Sequence, residues 1–206
     1  MLKVLGRKNS GNVQKVLWCC AELGLPFERE DYGGAYGKVK EPAFLALNPN
    51  GLVPVMVEDG FTLWESNTIL RYLGARHGLG RLVPADPRER AAIERWMDWQ
   101  LSALNPAIGP LFLALVRGAP AERTPAAIKP AMERTTRALA ILDRQLEGRS
   151  FVGGEGLTVA DIALGIFAYR WFSLPIDRAA MPALAAWYAR LGERAGFREH
   201  VMIGVS

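Results

Sequence analysis

The sequence predicts a small α/β domain followed by an all-helical domain. Strand-like apolar runs alternate with helical periodicity only in the first 78 residues, in the order β-α-β-β-β-α. After the stretch LGRLVPAD the strand signals vanish, and long segments with apolar residues every three or four positions follow. We therefore expect domains at residues 1–78 and 87–206, joined by a linker at 79–86.

Each element of the first domain has its own signal. The run LKVLG predicts a strand, and the helix after it ends at Gly24, with Pro26 just beyond. Glu58-Asp59-Gly60 predicts a hairpin turn between two strands. PFERED is predicted to be an edge strand, and EPAFLAL a single helical turn. The two strands of the hairpin are VPVMV and FTLW, and ESNTILRYLGARHG is the closing helix.

The second domain begins with a long helix. Asp86 is its predicted N-cap, with Pro87 at the first helical position and Glu89 completing a capping box. Pro106 and Pro110 fall inside the apolar pattern, so we expect a kink or break near Asn105.

Three further helices follow. The first is TPAAIKPAMERTTRALAILDRQLEG, in which Pro130 leaves open a late start. The second is LTVADIALGIFAYRWF, where Thr158 and Asp161 stand at capping-box spacing. That helix is apolar on nearly every side, which predicts a buried, central position. The third is MPALAAWYARLGER.

Composition narrows the functional classes. The 206 residues are 50% hydrophobic and 22% charged, which is typical of a globular protein. The net charge is +4, but the basic residues are scattered, so we expect no nucleic-acid partner. The N-terminus lacks a signal-peptide pattern and no apolar run is long enough for a membrane span, so we expect a cytoplasmic protein without a membrane partner.

The cysteines and histidines predict neither a disulfide nor a metal site. Cys19 and Cys20 are adjacent on the first helix, where neighbouring side chains point in different directions. His77 and His200 have no ligand-like partners at useful spacing.

A polar turn, Asn9-Ser10-Gly11-Asn12, stands where the first strand meets the first helix. The simpler interpretation is helix capping, because Ser and Asn side chains accept hydrogen bonds from unpaired N–H groups. The functional interpretation is an anion site at the helix N-terminus. On this turn alone, capping is the preferred interpretation.

Two other short motifs admit a structural and a functional interpretation. In LNPNGLVPVM, Pro54 is a strand-entry proline if trans; if cis, it would turn the Val53 backbone outward to pair with an extended peptide. In WESNTILRYL, Ser66 is a candidate N-cap beside Glu65, and the pair also suits the carboxylate and ammonium of an amino-acid head group. Brought to one rim of the sheet, the three motifs suit a small peptide.

In these motifs the sequence resembles the cytosolic glutathione transferases. The matching elements are SGNVQKVLW, NPNGLVPV, ESNTILRYL and LTVADIALG, in the order and at the separations of that family, across essentially the whole chain. The resemblance implies a thioredoxin-like N-terminal domain, an all-α C-terminal domain, a homodimer and glutathione as co-substrate.

The resemblance also implies roles for individual residues. Ser10 would donate a hydrogen bond to the glutathione thiolate, with Asn12 as the alternative. Val53, with Pro54 cis, would pair with the cysteinyl backbone. Glu65 and Ser66 would hold the γ-glutamyl end. The glycyl carboxylate needs a cation, for which Lys40 is the candidate and Lys38 the alternative.

The electrophile would bind between the domains, against the long helix. Asn105, Phe112 and Val116 are the candidates, and ordinary helix packing is an equally good explanation of them. The expected activity is attack of the thiolate on a small hydrophobic electrophile; the alternative is a non-catalytic scaffold of the kind some similar proteins form. Members with cysteine in the first turn form mixed disulfides with glutathione, which Ser10 cannot do, so we expect conjugation rather than thiol–disulfide exchange.

Overall fold

A four-stranded mixed sheet organises the first part of the computed structural model, which describes residues 1–118 and 124–205. The strands lie in the order β2-β1-β3-β4, so β2 is at an edge, as predicted. β1 pairs in parallel with β2 and antiparallel with β3, which pairs antiparallel with β4. Their bounds are Leu2–Leu5 for β1, Phe27–Glu30 for β2, Val55–Glu58 for β3 and Phe61–Trp64 for β4.

Three helices belong to this part: α1 at Gly11–Leu23, α2 at Pro42–Leu45 and α3 at Ser66–His77. A short 3₁₀ turn lies at Gly34–Tyr36. The hairpin turn is confirmed: Asp59 and Gly60 have φ of 49° and 85°, the left-handed pair that fits a two-residue turn to the twist of its strands.

The long helix of the second part continues from Pro87 to Arg117 with two changes of pitch. α4 at Pro87–Trp99 and α5 at Asn105–Phe112 are joined by a π-helical turn, Gln100–Leu104, and a second π turn follows at Leu113–Arg117. The predicted irregularity at Asn105 is therefore a π turn, not a break. Because Pro106 lacks an N–H, the α-helical pattern would be interrupted there in any case.

By length and composition alone, this helix could cross a membrane. Its apolar face is nevertheless buried within the protein, where it packs against α6 and α7. It is the core helix of a globular fold. The side chains on that face are Ile93, Met97, Leu104, Ile108, Leu111 and Phe112.

The remaining helices are α6 at Pro125–Leu146, α7 at Val159–Ser173, α8 at Pro182–Gly192 and α9 at Ala195–His200. α6 begins at Pro125, so Pro130 does not delay it. No separate sequence signal predicts α9. The expected central position of α7 is confirmed, because almost every residue from Val159 to Trp171 is buried.

The predicted capping pair at the start of α7 lies at the centre of a hydrogen-bond network. The fully buried Asp161 accepts from the backbone N and the hydroxyl of Thr158, at 2.8 and 2.9 Å. Its other oxygen accepts from the Val152 N–H at 2.8 Å and from the Trp187 indole at 2.9 Å. One carboxylate therefore fixes α7 relative to α8 and to the loop before it.

Close packing of α1 on α7 brings the two halves of the protein together. A Cβ at Gly165 would lie 2.8 Å from the Trp18 ring, so the helices approach closely only because that position is glycine. Likewise a Cβ at Gly11 would lie 2.6 Å from Nη2 of Arg170. The N-terminus of α1 is thus held directly against a cation of the helical half.

Candidate active site

The polar turn places Ser10 at the N-cap of α1. Its backbone is extended, with φ −83° and ψ 121°, and its carbonyl accepts from the Gln14 N–H at 2.9 Å. Its side chain, however, makes no capping hydrogen bond. The interpretation of the Ser10 hydroxyl as a helix cap is therefore wrong, and the hydroxyl is available to a ligand. Asn12 is exposed on the first turn of the same helix.

Both residues line a cleft of about 150 Å³ between the N-terminus of α1 and the helical half. Of the predicted electrophile residues, Asn105 also lines it. Most of the lining is polar or charged, in contrast to the apolar pocket that a hydrophobic electrophile would favour. The other lining residues are Arg7, Gly11, Arg117, Phe167 and Arg170.

The three arginines of this cleft were missed at the level of sequence. Arg170 is partly buried, and its guanidinium lies 4.5 Å from the centroid of the Phe112 ring. Burial, followed by the positive charges of Arg117 and Arg7, lowers the pKa of Arg170 to about 10. The one available signal was a charged residue, Arg170, within the apolar run IALGIFAYRWF.

Arg7 adds to the same positive field. Its Nη1 donates to Oδ1 of Asn9 at 2.9 Å, while its Nε is buried without a hydrogen-bond partner. Burial, together with the charge of Arg117, lowers the pKa of Arg7. The cleft beside Ser10 is thus strongly electropositive.

Two of the predicted electrophile residues do not line the cleft. Phe112 is only 3% exposed, and its ring lies beneath the guanidiniums of Arg117, at 5.5 Å, and Arg170. It therefore supports these cations by cation–π contact. Val116 is partly buried in the second π turn and packs against the core.

Val53 and Pro54 lie just before β3, and the peptide bond between them is cis. The backbone N–H and carbonyl of Val53 make no hydrogen bond with any residue that the structure describes. Both groups are thus available to the backbone of an extended peptide.

The structure corrects the start of α3 by one residue. Glu65, not Ser66, occupies the N-cap position, and Ser66 is the first helical residue. Glu65 has φ of 70°, a conformation that costs a non-glycine residue about 1–3 kcal/mol and is enriched at functional sites. Within the described part of the chain, the Ser66 hydroxyl has no hydrogen-bond partner.

The two candidate lysines for the glycyl carboxylate differ in their surroundings. Nζ of Lys38 lies 5.2 Å from the centroid of the Tyr32 ring, in a cation–π contact. Lys40 lies against Gly51, where an added Cβ would be 3.0 Å from its Nζ. Lys40 is thus next to the turn that leads into Val53.

A buried lysine below the turn was also missed. Lys15 is fully buried, and its Nζ donates to Oδ1 of Asn67 at 3.1 Å and to Oε1 of Gln100 at 2.8 Å. Burial, assisted by the charge of Arg170 and opposed by that of Glu65, lowers the pKa of Lys15 to about 7. The network joins α1 to the start of α3 and to the first π turn.

The cysteines are placed too deeply for chemistry at the cleft. Cys19 and Cys20 are both buried, and burial raises the pKa of each thiol, that of Cys20 to about 12. Residues 1–118 and 124–205 contain no group of three or more His, Cys, Asp or Glu side chains that would hold a metal ion.

Comparison with known proteins identifies the family. Residues 9–76 match the model of the glutathione S-transferase N-terminal domain, and residues 125–190 match that of the C-terminal domain. The chain is 41% identical to glutathione S-transferase GstB of Escherichia coli K12 over 208 residues, covering 100% of both proteins. It is 34% identical to disulfide-bond oxidoreductase YfcG of the same organism, over 84% of this chain and 81% of that protein.

One solved structure has the same sequence identity to this chain as GstB has. The glutathione-bound theta class glutathione S-transferase of Xanthomonas axonopodis pv. citri superposes with a TM-score of 0.95 at 41% identity, covering 100% of this chain and 99% of that one. The thioredoxin-like and all-helical halves predicted from the sequence are those of this family. The chain belongs to the glutathione S-transferase family.

Proposed function

We propose that this protein ionises the thiol of glutathione at the N-terminus of α1 and directs the thiolate at a small electrophile in the adjacent cleft. The observation that carries the proposal is the Ser10 hydroxyl, which is not used as a helix cap although it stands at the start of a 13-residue helix. Residues 1–78 would bind glutathione, residues 87–206 would complete the electrophile side, and 79–86 would connect them.

The energies are adequate for this step. Free cysteine thiols have a pKa of about 8.5, and lowering it by two units requires about 2.7 kcal/mol of preferential thiolate stabilisation. A hydroxyl donating to a charged acceptor contributes about 1.5–3 kcal/mol, and a helix N-terminus about 0.3–1 kcal/mol. Ser10 and the end of α1 together supply what is needed, and Asn12 is the alternative donor on the same turn.

The rest of glutathione is accommodated along the rim of the sheet. The unpaired backbone of Val53, before Pro54, would take the cysteinyl backbone as an added strand. Glu65 and Ser66 would hold the ammonium and carboxylate of the γ-glutamyl end. Lys40 would pair with the glycyl carboxylate.

The test is an ultraviolet difference titration of glutathione bound to the purified protein. We expect the thiolate absorbance to appear about two pH units below that of free glutathione, since thiolate is the form that the turn stabilises. Glutathione that binds only as the neutral thiol, or does not bind, contradicts the proposal.

Glutathione-dependent disulfide reduction is the second candidate activity, because a relative at 34% identity is a disulfide-bond oxidoreductase. The buried Cys19 and Cys20 make a protein mixed disulfide unfavourable. Turnover of a small dialkyl disulfide with glutathione, compared with conjugation of 1-chloro-2,4-dinitrobenzene, separates the two activities. The scaffold alternative has no support among these relatives, which are named as enzymes.

We further propose a cytoplasmic homodimer. An open groove of about 500 Å³ runs between β4, α3 and α4, with Phe61, Leu63 and Tyr72 beside Arg71 and Arg90. Phe61 is 47% and nearby Trp64 37% exposed, which is unusual for large apolar residues unless a partner covers them.

Sedimentation should show a dimer at micromolar concentration. Phe61→Asp is expected to shift it to monomer, because a carboxylate would lose its hydration there while Arg71 and Arg90 already pair with Asp98 and Glu94. Met202→Asp, at a comparably exposed apolar residue near the C-terminus, is the control. A wild-type monomer, or a Phe61→Asp variant that remains dimeric, contradicts this interface.

A further inference from the structure

We propose that the electrophile of this enzyme carries an anionic group, a carboxylate or a similar oxyanion, bound by Arg7, Arg117 and Arg170 beside the glutathione sulfur. The inference rests on the proposed function and specifies its second substrate. It replaces the hydrophobic electrophile expected from sequence.

Positive charge is concentrated in this cleft. Three guanidiniums line a space of about 150 Å³, and Arg7 and Arg170 form no ion pair with any carboxylate of the described residues. Partly buried cations without counter-charges are costly, and an anionic ligand would relieve that cost. Arginine is also the side chain whose planar, forked geometry best matches a carboxylate.

The arginines are held in place by their surroundings. The Phe112 ring supports Arg117 and Arg170 from below, at 5.5 and 4.5 Å. Gly11 leaves the space that Nη2 of Arg170 occupies at the N-terminus of α1. A guanidinium supported in this way loses less freedom on binding than a mobile surface side chain.

Glutathione does not account for this cluster. In the binding mode proposed above, its two carboxylates go to Lys40 and to the start of α3, on the sheet side of Ser10. Arg117 and Arg170 belong instead to the helical half, which forms the electrophile side. The volume, about 150 Å³, also lies below the ~300–1,000 Å³ of sites that hold drug-sized ligands, so it suits a small molecule.

A two-carbon α-halocarboxylate satisfies both size and charge. The glutathione thiolate attacks the α-carbon, the S–C bond forms as the C–halogen bond breaks, and halide leaves with the bonding electrons. The thiol proton has already passed to solvent. The arginines would hold the carboxylate, offsetting its repulsion of the incoming thiolate.

The experiment compares iodoacetate with iodoacetamide, which have nearly the same shape but differ in charge. Glutathione conjugation is measured as the enzymatic kcat/KM divided by the spontaneous rate constant for each reagent. We expect this enhancement to favour iodoacetate. In Arg117→Gln and Arg170→Gln the iodoacetate-to-iodoacetamide ratio should fall about tenfold or more, the effect of losing one charge-assisted hydrogen bond. Arg117 is exposed, so its variant should fold even if that of Arg170 does not.

The control is Arg137→Gln, at an exposed arginine of α6 outside the cleft. It makes the same change in net charge and should leave the iodoacetate-to-iodoacetamide ratio as in wild type. Iodoacetamide conjugation with no preference for iodoacetate, or a ratio unaffected by Arg117→Gln, overturns the anionic substrate but leaves the transferase standing. If the arginine variants instead lose kcat/KM equally with both reagents and show a raised pKa of the bound glutathione thiol, the arginines stabilise the sulfur. That result also overturns the anionic substrate. Failure of every electrophile, 1-chloro-2,4-dinitrobenzene included, would instead contradict the proposed function itself.

Discussion

Ser10→Ala is expected to lower kcat/KM for glutathione conjugation by about 10- to 100-fold, the value of one hydrogen bond from a hydroxyl to a charged acceptor. The bound thiol should then titrate at higher pH, so the acidic limb of the pH–rate profile should move upward. Glutathione affinity should change little, because the backbone at Val53 and the α3 terminus are untouched. The profile and the affinity are measured on the same preparation.

The structure makes this variant a clean test. Because the Ser10 side chain does not cap α1, its removal should leave the melting temperature nearly unchanged, whereas loss of an N-cap typically costs about 1 kcal/mol. Ser10→Thr keeps a hydroxyl and should restore part of the activity. Asn12→Ala is the matched variant two residues further along the same turn. If it moves the pH–rate profile and Ser10→Ala does not, Asn12 is the donor.

The elements of the fold were largely predictable because each has a local signal. Asp59-Gly60 specifies its hairpin through backbone geometry. Thr158 and Asp161 specify the start of α7 because the Thr158 N–H and hydroxyl both donate to the Asp161 carboxylate. The errors fall where local rules were overridden. α6 incorporates Pro130, and the long helix passes Pro106 by way of a π turn, although proline usually breaks or kinks a helix.

Of the residues that form the candidate site, only those along the sheet could be placed from the sequence. Ser10, Val53 and Glu65 stand in short contiguous motifs, each at the end of a strand or helix, so their placement follows from chain order. The arginine cleft has no such signal, because Arg7, Arg117 and Arg170 are far apart in sequence and meet only through the packing of α1 on α7. From residue type alone, each of these arginines would be expected to lie on the surface as an ordinary cation.

Lys15→Met is expected to remove a contribution that makes the wild-type protein more stable as the pH rises from about 7.5 to 8.5. Folding lowers the pKa of Lys15 to about 7, whereas an unfolded lysine titrates near 10.4. Between these values the unfolded chain binds a proton that the folded chain does not, so the free energy of unfolding increases with pH, by at most about 1.4 kcal/mol per pH unit. Below pH 7 both states are protonated and this contribution to the slope disappears.

Urea unfolding at several pH values measures the slope directly. Cys19, Cys20 and the N-terminal ammonium act in the opposite direction over the same range, because folding raises their pKa values while the unfolded thiols, with a pKa of about 8.5, are already partly ionised. These contributions are the same in the wild type and the variant, so the difference between their two slopes isolates Lys15. Lys129→Met, at an exposed lysine of α6, should keep the wild-type slope.

The slope, rather than the absolute stability, identifies the role of Lys15. Removing Nζ leaves Asn67 and Gln100 with one hydrogen bond fewer each, although the Asn67 amide still donates to Oε1 of Gln100 at 3.1 Å. That loss and the removal of a buried charge act in opposite directions on stability, so their sum has no fixed sign. A variant with the full wild-type slope would show instead that Lys15 stays charged inside the protein, neutralised by Glu65 across the start of α3.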